Sequence, residues 1–496
     1  MSLFFSLKES LLRVIESVPF PQIYKIVFFT LLPLSVFAPL GITALMCLLA
    51  VVFFMEMARN FPLKYIFQEN NKLVFLLGII LIFSFFSCFG SIIKGESFKN
   101  WVRIASLFLA GYVVLRGLQT TSCQKEIIKS LRAGFIVALI LLFIESMTDG
   151  FILILIKQEI VELFKYNKSV SVMILLAGPV FFLSTRYLAP SHLFYFLSAP
   201  VFIVLIYVVF SLKHDASKVA VIIGSISFVI LYFLSLKSRK IFLQILICFC
   251  FAGSLTIPKI YSVPIVKESA FQYCKKLSLY HRVAIWTTVR QIAFNQVKDL
   301  EGSVKHTLFG FGIESLKSDI FSRLTYTWEL PSPIESSKTS PKQSEIRKMM
   351  VESMNLKHIK EALDPDKASS DQILYKYNFP FVTSKGIPSH PHNFILHILL
   401  DLGLVGLLFL FLLIELCVCG ILRFNSHPVY LCMASGTLII FLIIASISYG
   451  IWQSWWICVI WLVASLLQLL KVKPEKSQQE EIRISDENDL KFDFVL

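Results

Sequence analysis

Apolar runs near or above the roughly 18 residues needed to cross a lipid bilayer recur along the chain, separated by short polar breaks. Backbone groups inside a bilayer must bond within their own segment, so such runs predict helices. The first two runs, near 24–37 and 40–57, are short and proline-broken. Others follow at 73–93, 101–118 and 131–147, then an amphipathic stretch at 157–168, then 169–187, 193–212, 219–236 and 241–257. After a long polar interval come 394–422, 429–449 and 451–470. The pattern predicts an all-α polytopic membrane protein of about 12 transmembrane helices, with a large, mainly helical outer loop between the ninth and tenth. No internal repeat is visible.

Composition agrees. Of 496 residues, 56% are hydrophobic and 16% charged, against roughly 25% charge in soluble domains. The net charge of +14 fits basic loops facing anionic lipid headgroups better than it fits nucleic acid. Sorting the charges by loop gives an orientation. Arg59, Lys64, Arg116, Lys125, Lys129, Arg132, Arg186, Lys237, Arg239, Lys240, Arg423, Lys471, Lys473 and Lys476 fall on one side. Short loops of the other side hold fewer: Lys94, Lys99, Lys157, Lys165, Lys168, Lys213 and Lys218. By the positive-inside rule both termini are cytoplasmic. The expected organisation is a cytoplasmic 1–22, helices one to nine over 23–257, an outer domain at 258–391, helices ten to twelve over 392–470, and a charged, disordered cytoplasmic tail at 471–496. The first apolar segment lacks a cleavage-type pattern and is expected to be a retained anchor. Nine of the ten cysteines lie in or beside apolar runs, the exception being Cys274, so no disulfide framework or zinc spacing is present. Trp452, Trp455 and Trp456 fall at an expected interface, where they read most simply as an aromatic anchor.

The outer segment holds no nucleotide, serine-hydrolase or zinc-protease motif, so neither cofactor nor ATP is expected. Its front part reads as a soluble helix, and 331–348, rich in Ser, Pro and Lys, as a loose loop. Three constellations stand out. Arg282, Trp286 and Arg290 are spaced to share one helix face, where a guanidinium fork could bind phosphate oxygens or simply flank a core tryptophan. Gly310 and Gly312, in Leu308, Phe309, Gly310, Phe311, Gly312, permit a tight turn or close backbone approach. Finally, His392 and Asn393 lead into a helix containing Asp401, Gly403 and Gly406. Asn393 is placed to cap that helix and His392 to take a proton from a hydroxyl, though a plain capped helix end would look the same. A metal site on His390 and His392 lacks further ligands at a recognisable spacing. An intramembrane Asp401 is costly unless paired or water-lined.

Together and in this order, these elements resemble the O-antigen ligase/polymerase superfamily of bacterial envelope glycosyltransferases. The resemblance rests on Arg282 with Trp286, on Leu308, Gly310 and Gly312, and on His392, Asn393 and Leu396 with Gly403 and Gly406. It implies an inner-membrane enzyme whose outer loop is periplasmic and which moves a glycan from undecaprenyl pyrophosphate to an acceptor hydroxyl, without metal or ATP. On that analogy Arg282 binds the pyrophosphate, with Arg290 near it, and His392 is catalytic. Trp286, Asn393, Gly310, Gly312 and Asp401 support the site. The family's further basic residue, commonly in a Ser-Arg pair, corresponds to Lys218 after Ser217, which keeps the charge but loses the fork. Twelve helices with one dominant late loop favour a ligase acting on lipid A–core. A polymerase or a protein O-oligosaccharyltransferase of the same superfamily is the alternative. A polyisoprenoid or polysaccharide transporter, from another class, would predict repeated halves and midplane charges, and neither is evident.

Overall fold

The structure, a computed structural model, describes residues 17–60, 71–91, 93–157, 163–188, 192–212, 214–260, 277–294, 305–317, 325–329, 371–376, 379–385, 391–423 and 428–470. Residues 1–16, the tail 471–496, the stretch 331–348, Cys274, His390 and the side chain of His281 lie outside them.

Each apolar run forms a helix. In chain order these are α1 (Phe20–Phe37), α2 (Gly41–Asn60), α3 (Asn71–Phe89), α4 (Lys94–Thr120), α5 (Gln124–Met147), the short α6 (Phe151–Lys157), α7 (Asn167–Tyr187), α8 (His192–Ser211), α9 (Asp215–Phe233) and α10 (Leu236–Ile260). The polar interval contributes α11 (Leu277–Ala293) and the short α12 (Lys305–Phe309). The chain then forms α13 (Phe394–Leu422), α14 (Pro428–Ile447) and α15 (Ser454–Leu469). Among the described residues nine of these helices are long and apolar enough to cross a membrane, and Leu73–Phe89, Pro200–Ser211 and Ser454–Leu469 are shorter apolar helices. Their outer surface exposes large side chains such as Phe75, Ile203, Val229 and Phe249. A water-soluble protein would cover such a continuous apolar surface, and the chain is a multi-pass membrane protein.

Helix α7 is central, packing on α1, α5, α14 and α15; α1 also lies along α5, α9 along α14, and α4 against α2 and α15. One end of the bundle is closed by polar clasps. Tyr24 donates to Glu56 Oε2 at 2.6 Å and Thr121 to Oε1 at 3.0 Å. Arg239 Nε donates to the Leu231 carbonyl at 2.7 Å, capping α9, while Arg186 donates to the Leu470 carbonyl beyond α15. Both arginines satisfy carbonyls that a helix end leaves open.

At the other end α11 packs across α10 and α13, and α12 lies on α13. In its described residues the interval is helical in larger part, as expected. It also carries a three-stranded antiparallel sheet, β1 (Thr325–Glu329), β2 (Asp371–Lys376) and β3 (Phe379–Lys385), in the order β1-β3-β2. Tyr326 pairs with Ser384 and Ile373 with Val382. Aromatic and β-branched residues crowd these short segments, which suits strands, and their polar setting hid them from a reading tuned to long apolar runs.

Candidate active site

The site is built around the connection between α14 and α15. His392 stands just before α13 with φ 54°, a left-handed backbone that costs a non-glycine residue energy and tends to mark functional positions. Three neighbours hold it there. The Trp286 indole, on α11, donates to the carbonyl of Pro391 at 2.8 Å. Asn393 caps α13, its Oδ1 accepting from the amides of Ile395 and Leu396 at 3.0 and 3.1 Å, while its Nδ2 donates to Ser254 Oγ at 3.2 Å. His392 Nδ1 lies 2.7 Å from the carbonyl oxygen of Ser448. A carbonyl only accepts, so Nδ1 carries the proton and the imidazole lone pair falls on Nε2.

Arg282 reaches the neighbouring peptide: its Nη1 donates to the Ile447 carbonyl at 3.2 Å. Burial draws the guanidinium below its usual range, while Asp215 and Tyr449 favour its charge. Guanidinium nonetheless stays protonated in proteins. Asp215 begins α9 and pairs with Lys218 at 3.7 Å. Between these charges sits His214, buried, with Nδ1 2.5 Å from Ser217 Oγ and Nε2 3.2 Å from Ser448 Oγ. Burial first, then Arg282, pulls its pKa from 6.5 to about 4, so the ring is neutral at neutral pH. Ser171, on α7, lies 3.1 Å from the Tyr449 hydroxyl. One turn before Ser171, Lys168 rests over the Trp455 ring at 5.7 Å, and that ring meets Tyr449 edge-on at 4.9 Å. Two cations, Arg282 and Lys218, therefore flank a neutral histidine and one carboxylate, with Lys168 farther off behind the Tyr449 and Trp455 rings.

The flank of the site is a backbone clasp. Helix α13 breaks at Gly403, with φ 66° and ψ −162°. At the break the carbonyls of Leu400 and Asp401 accept from the amides of Phe311 and Gly312 at 2.9 and 3.0 Å. A broken helix at membrane depth needs its backbone satisfied in this way. A Cβ on Gly310 would overlap the backbone of Asp401 and Leu402, and one on Gly403 that of Leu308 and Phe309. The fully buried Asp401 carboxylate accepts from the Glu314 amide at 2.8 Å, Ser315 Oγ at 2.8 Å and the Trp452 indole at 2.7 Å. Glu314, at φ 56°, is bridged by Arg103 at 2.9 Å and Lys317 at 2.7 Å.

Arg282, His392 and Lys218 lie at the same end, and Trp286 and Asn393 fix the backbone beside His392. Gly310, Gly312 and Asp401 form the clasp. Arg290 lies apart from Arg282. Two turns from Arg282, roughly 12 Å along the helix, its guanidinium lies over the Phe294 ring at 5.3 Å. The anchor reading of the tryptophans is corrected: Trp452, Trp455 and Trp456 are buried, Trp452 on Asp401, because the carboxylate and the ring stack offer better partners than headgroups do. Among the described residues no group of three or more His, Cys, Asp or Glu could hold a metal ion. His214, Ser448, Tyr449, Ser171 and Lys168 were not anticipated as parts of a site. Only the closeness of His214 to Lys218 in sequence hinted at one of them.

No family model matches the chain. It is 23% identical over 403 residues, 80% of each chain, to a protein of Rickettsia conorii named as a candidate polysaccharide ligase. Proteins of Rickettsia typhi and Rickettsia felis with that description are 43% identical over 95 residues and 39% over 90, in each case 18% of this chain and 22% and 21% of theirs. The protein is thus similar over most of its length to one protein named as a polysaccharide ligase, and over a short stretch to others of that name.

Proposed function

We propose that the protein is an O-antigen ligase-like glycosyltransferase of the bacterial inner membrane, with the His392 end facing the periplasm and both termini in the cytoplasm. It transfers a glycan from undecaprenyl pyrophosphate to a hydroxyl of a lipid A–core acceptor. The observation that carries this reading is that a phosphate-binding cation and a poised base are tied to consecutive carbonyls, Arg282 to Ile447 and His392 to Ser448.

In this mechanism the acceptor oxygen attacks the anomeric carbon of the donor sugar, and its proton passes to His392 Nε2. The bond from that carbon to the phosphate oxygen breaks, and undecaprenyl pyrophosphate leaves with the electron pair. Arg282, Lys218 and Lys168 receive the charge that develops on the diphosphate, with most effect where water is sparse. Neither metal nor nucleotide has a role in these steps. The names of the rickettsial relatives support glycan joining, and the arginine clasps at the opposite end support the orientation.

The test is transfer in proteoliposomes from a lipid-linked glycan to lipid A–core and, separately, to a second lipid-linked glycan or an acceptor protein. His392→Ala and Arg282→Ala are expected to lower transfer at least about a hundredfold while inserting normally. Full activity in both variants overturns the assignment. Product only on a second lipid-linked glycan makes the enzyme a polymerase, and product only on protein makes it an oligosaccharyltransferase. Glycan crossing the vesicle wall without a new covalent product makes it a transporter.

A further inference from the structure

We propose that His214 is a positioning residue for His392, acting through Ser448; this rests on the glycosyltransferase reading for its consequence, not for its geometry. Ser448 is the shared pivot. Its hydroxyl oxygen lies 3.2 Å from His214 Nε2, and its carbonyl accepts from His392 Nδ1 at 2.7 Å. On the other side of the His214 ring, Nδ1 meets Ser217 one residue before Lys218. One neutral imidazole thus ties the start of α9, which carries a diphosphate-binding cation, to the carbonyl that sets the tautomer of the base.

Need and means are both present. Residues 448–453 join α14 to α15 outside any helix, and such connections are the mobile part of a fold. A base must nevertheless be held to a fraction of an ångström, by groups themselves locked in place. The α11 side supplies one lock, Arg282 on the Ile447 carbonyl. The His214 contact supplies the other, on the next residue. The groups facing His214 are Arg282 from α11, Asp215 and Lys218 from its own helix, and Ser171 and Tyr449 beside the ring. Burial first, then Arg282, keeps His214 neutral, with one donor and one acceptor nitrogen, and two hydroxyl oxygens occupy those two positions. A histidine present only to fill space would not need both. Loosening this link frees the Ser448 carbonyl and lets His392 sample its other tautomer, in which Nε2 carries the proton and cannot accept one.

Glutamine and asparagine separate the positioning role from packing. A glutamine amide reaches the place of the imidazole Nε2, whereas an asparagine amide reaches only that of Nδ1. His214→Gln is therefore expected to keep transfer within about threefold of wild type, since one of the two contacts survives. His214→Asn and His214→Ala are expected to lose about ten- to a hundredfold in kcat, with the donor KM changed much less. Ser448→Ala should match His214→Asn, and the double variant should be no worse than either single one.

A second readout needs no substrate. Diethyl pyrocarbonate labels unprotonated imidazole, so mass spectrometry of His392 labelling across pH 5–8 follows the state of that ring directly. The rate of His392 labelling over that range is expected to change about threefold or more in His214→Asn and His214→Ala, and to stay unchanged in His214→Gln. Unchanged His392 labelling in the Asn and Ala variants overturns the inference, as does an equal loss of kcat in Gln and Asn. If instead His392→Ala retains full transfer, the base assignment fails, while the labelling result still decides whether His214 governs His392.

Discussion

At the scale of single residues, polar groups dictate where the chain can bend and what it can hold. Asp401 shows this most directly. Completely buried, it has a backbone amide, a hydroxyl and an indole donating to its two oxygens. Asp401→Asn would keep the shape but turn one acceptor into a donor, leaving at least one buried donor unpaired at about 1–3 kcal/mol. We expect a lower unfolding temperature in detergent and earlier proteolysis of the 305–317 segment. An unchanged melting curve would show that the clasp does not depend on the carboxylate. Arg282, His392 and Asn393 were legible in the sequence because each sits in a short pattern with a mechanism behind it. His214 and Ser448 were not, because neither belongs to a local pattern and both acquire meaning only through partners on other helices.

At the scale of elements, the break in α13 governs the architecture of the site. Gly403 gives up helical geometry, and the amides of Phe311 and Gly312 replace the lost partners. Gly403→Ala would meet both a positive φ and the Leu308 backbone, so a cost above about 1 kcal/mol is expected. Hydrogen exchange should rise at residues 310–316 before it rises in α1 or α5. Uniform change along the chain would contradict a local clasp. Gly310 and Gly403 lie far apart in sequence, and each taken alone looked like an ordinary turn or helix glycine. Their close approach is a tertiary fact. The strands β1, β2 and β3 eluded the hydropathy reading because short amphipathic segments carry too few residues to stand out from a polar interval.

At the scale of the whole molecule, the two ends of the bundle differ in chemistry. One end is closed by Tyr24, Glu56, Thr121, Arg186 and Arg239, whose bonds finish helices. The other collects Arg282, Lys218, Lys168, His214 and His392 around a non-helical connection. Cysteines introduced at exposed Lys237 and at exposed Asp215 should therefore label from opposite sides of intact cells or sealed vesicles with a membrane-impermeant maleimide. The Asp215 position should react from the periplasmic side. Labelling of both from one side would refute the topology.

The sequence by itself determined the membrane environment, the run of helices and the expected sidedness, because hydrophobic length and loop charge are local quantities that the bilayer reads segment by segment. It also pointed to the residue types that the proposed glycan transfer requires. Only the tertiary structure decided which of those residues meet. Arg282 met the Ile447 carbonyl while Arg290, two turns on, met the Phe294 ring; a neutral histidine entered among the cations; and a helix broken at Gly403 was completed by a loop some ninety residues earlier in the chain. Those outcomes depend on which buried polar groups find partners across the bundle, and no stretch of sequence contains both halves of such a pair.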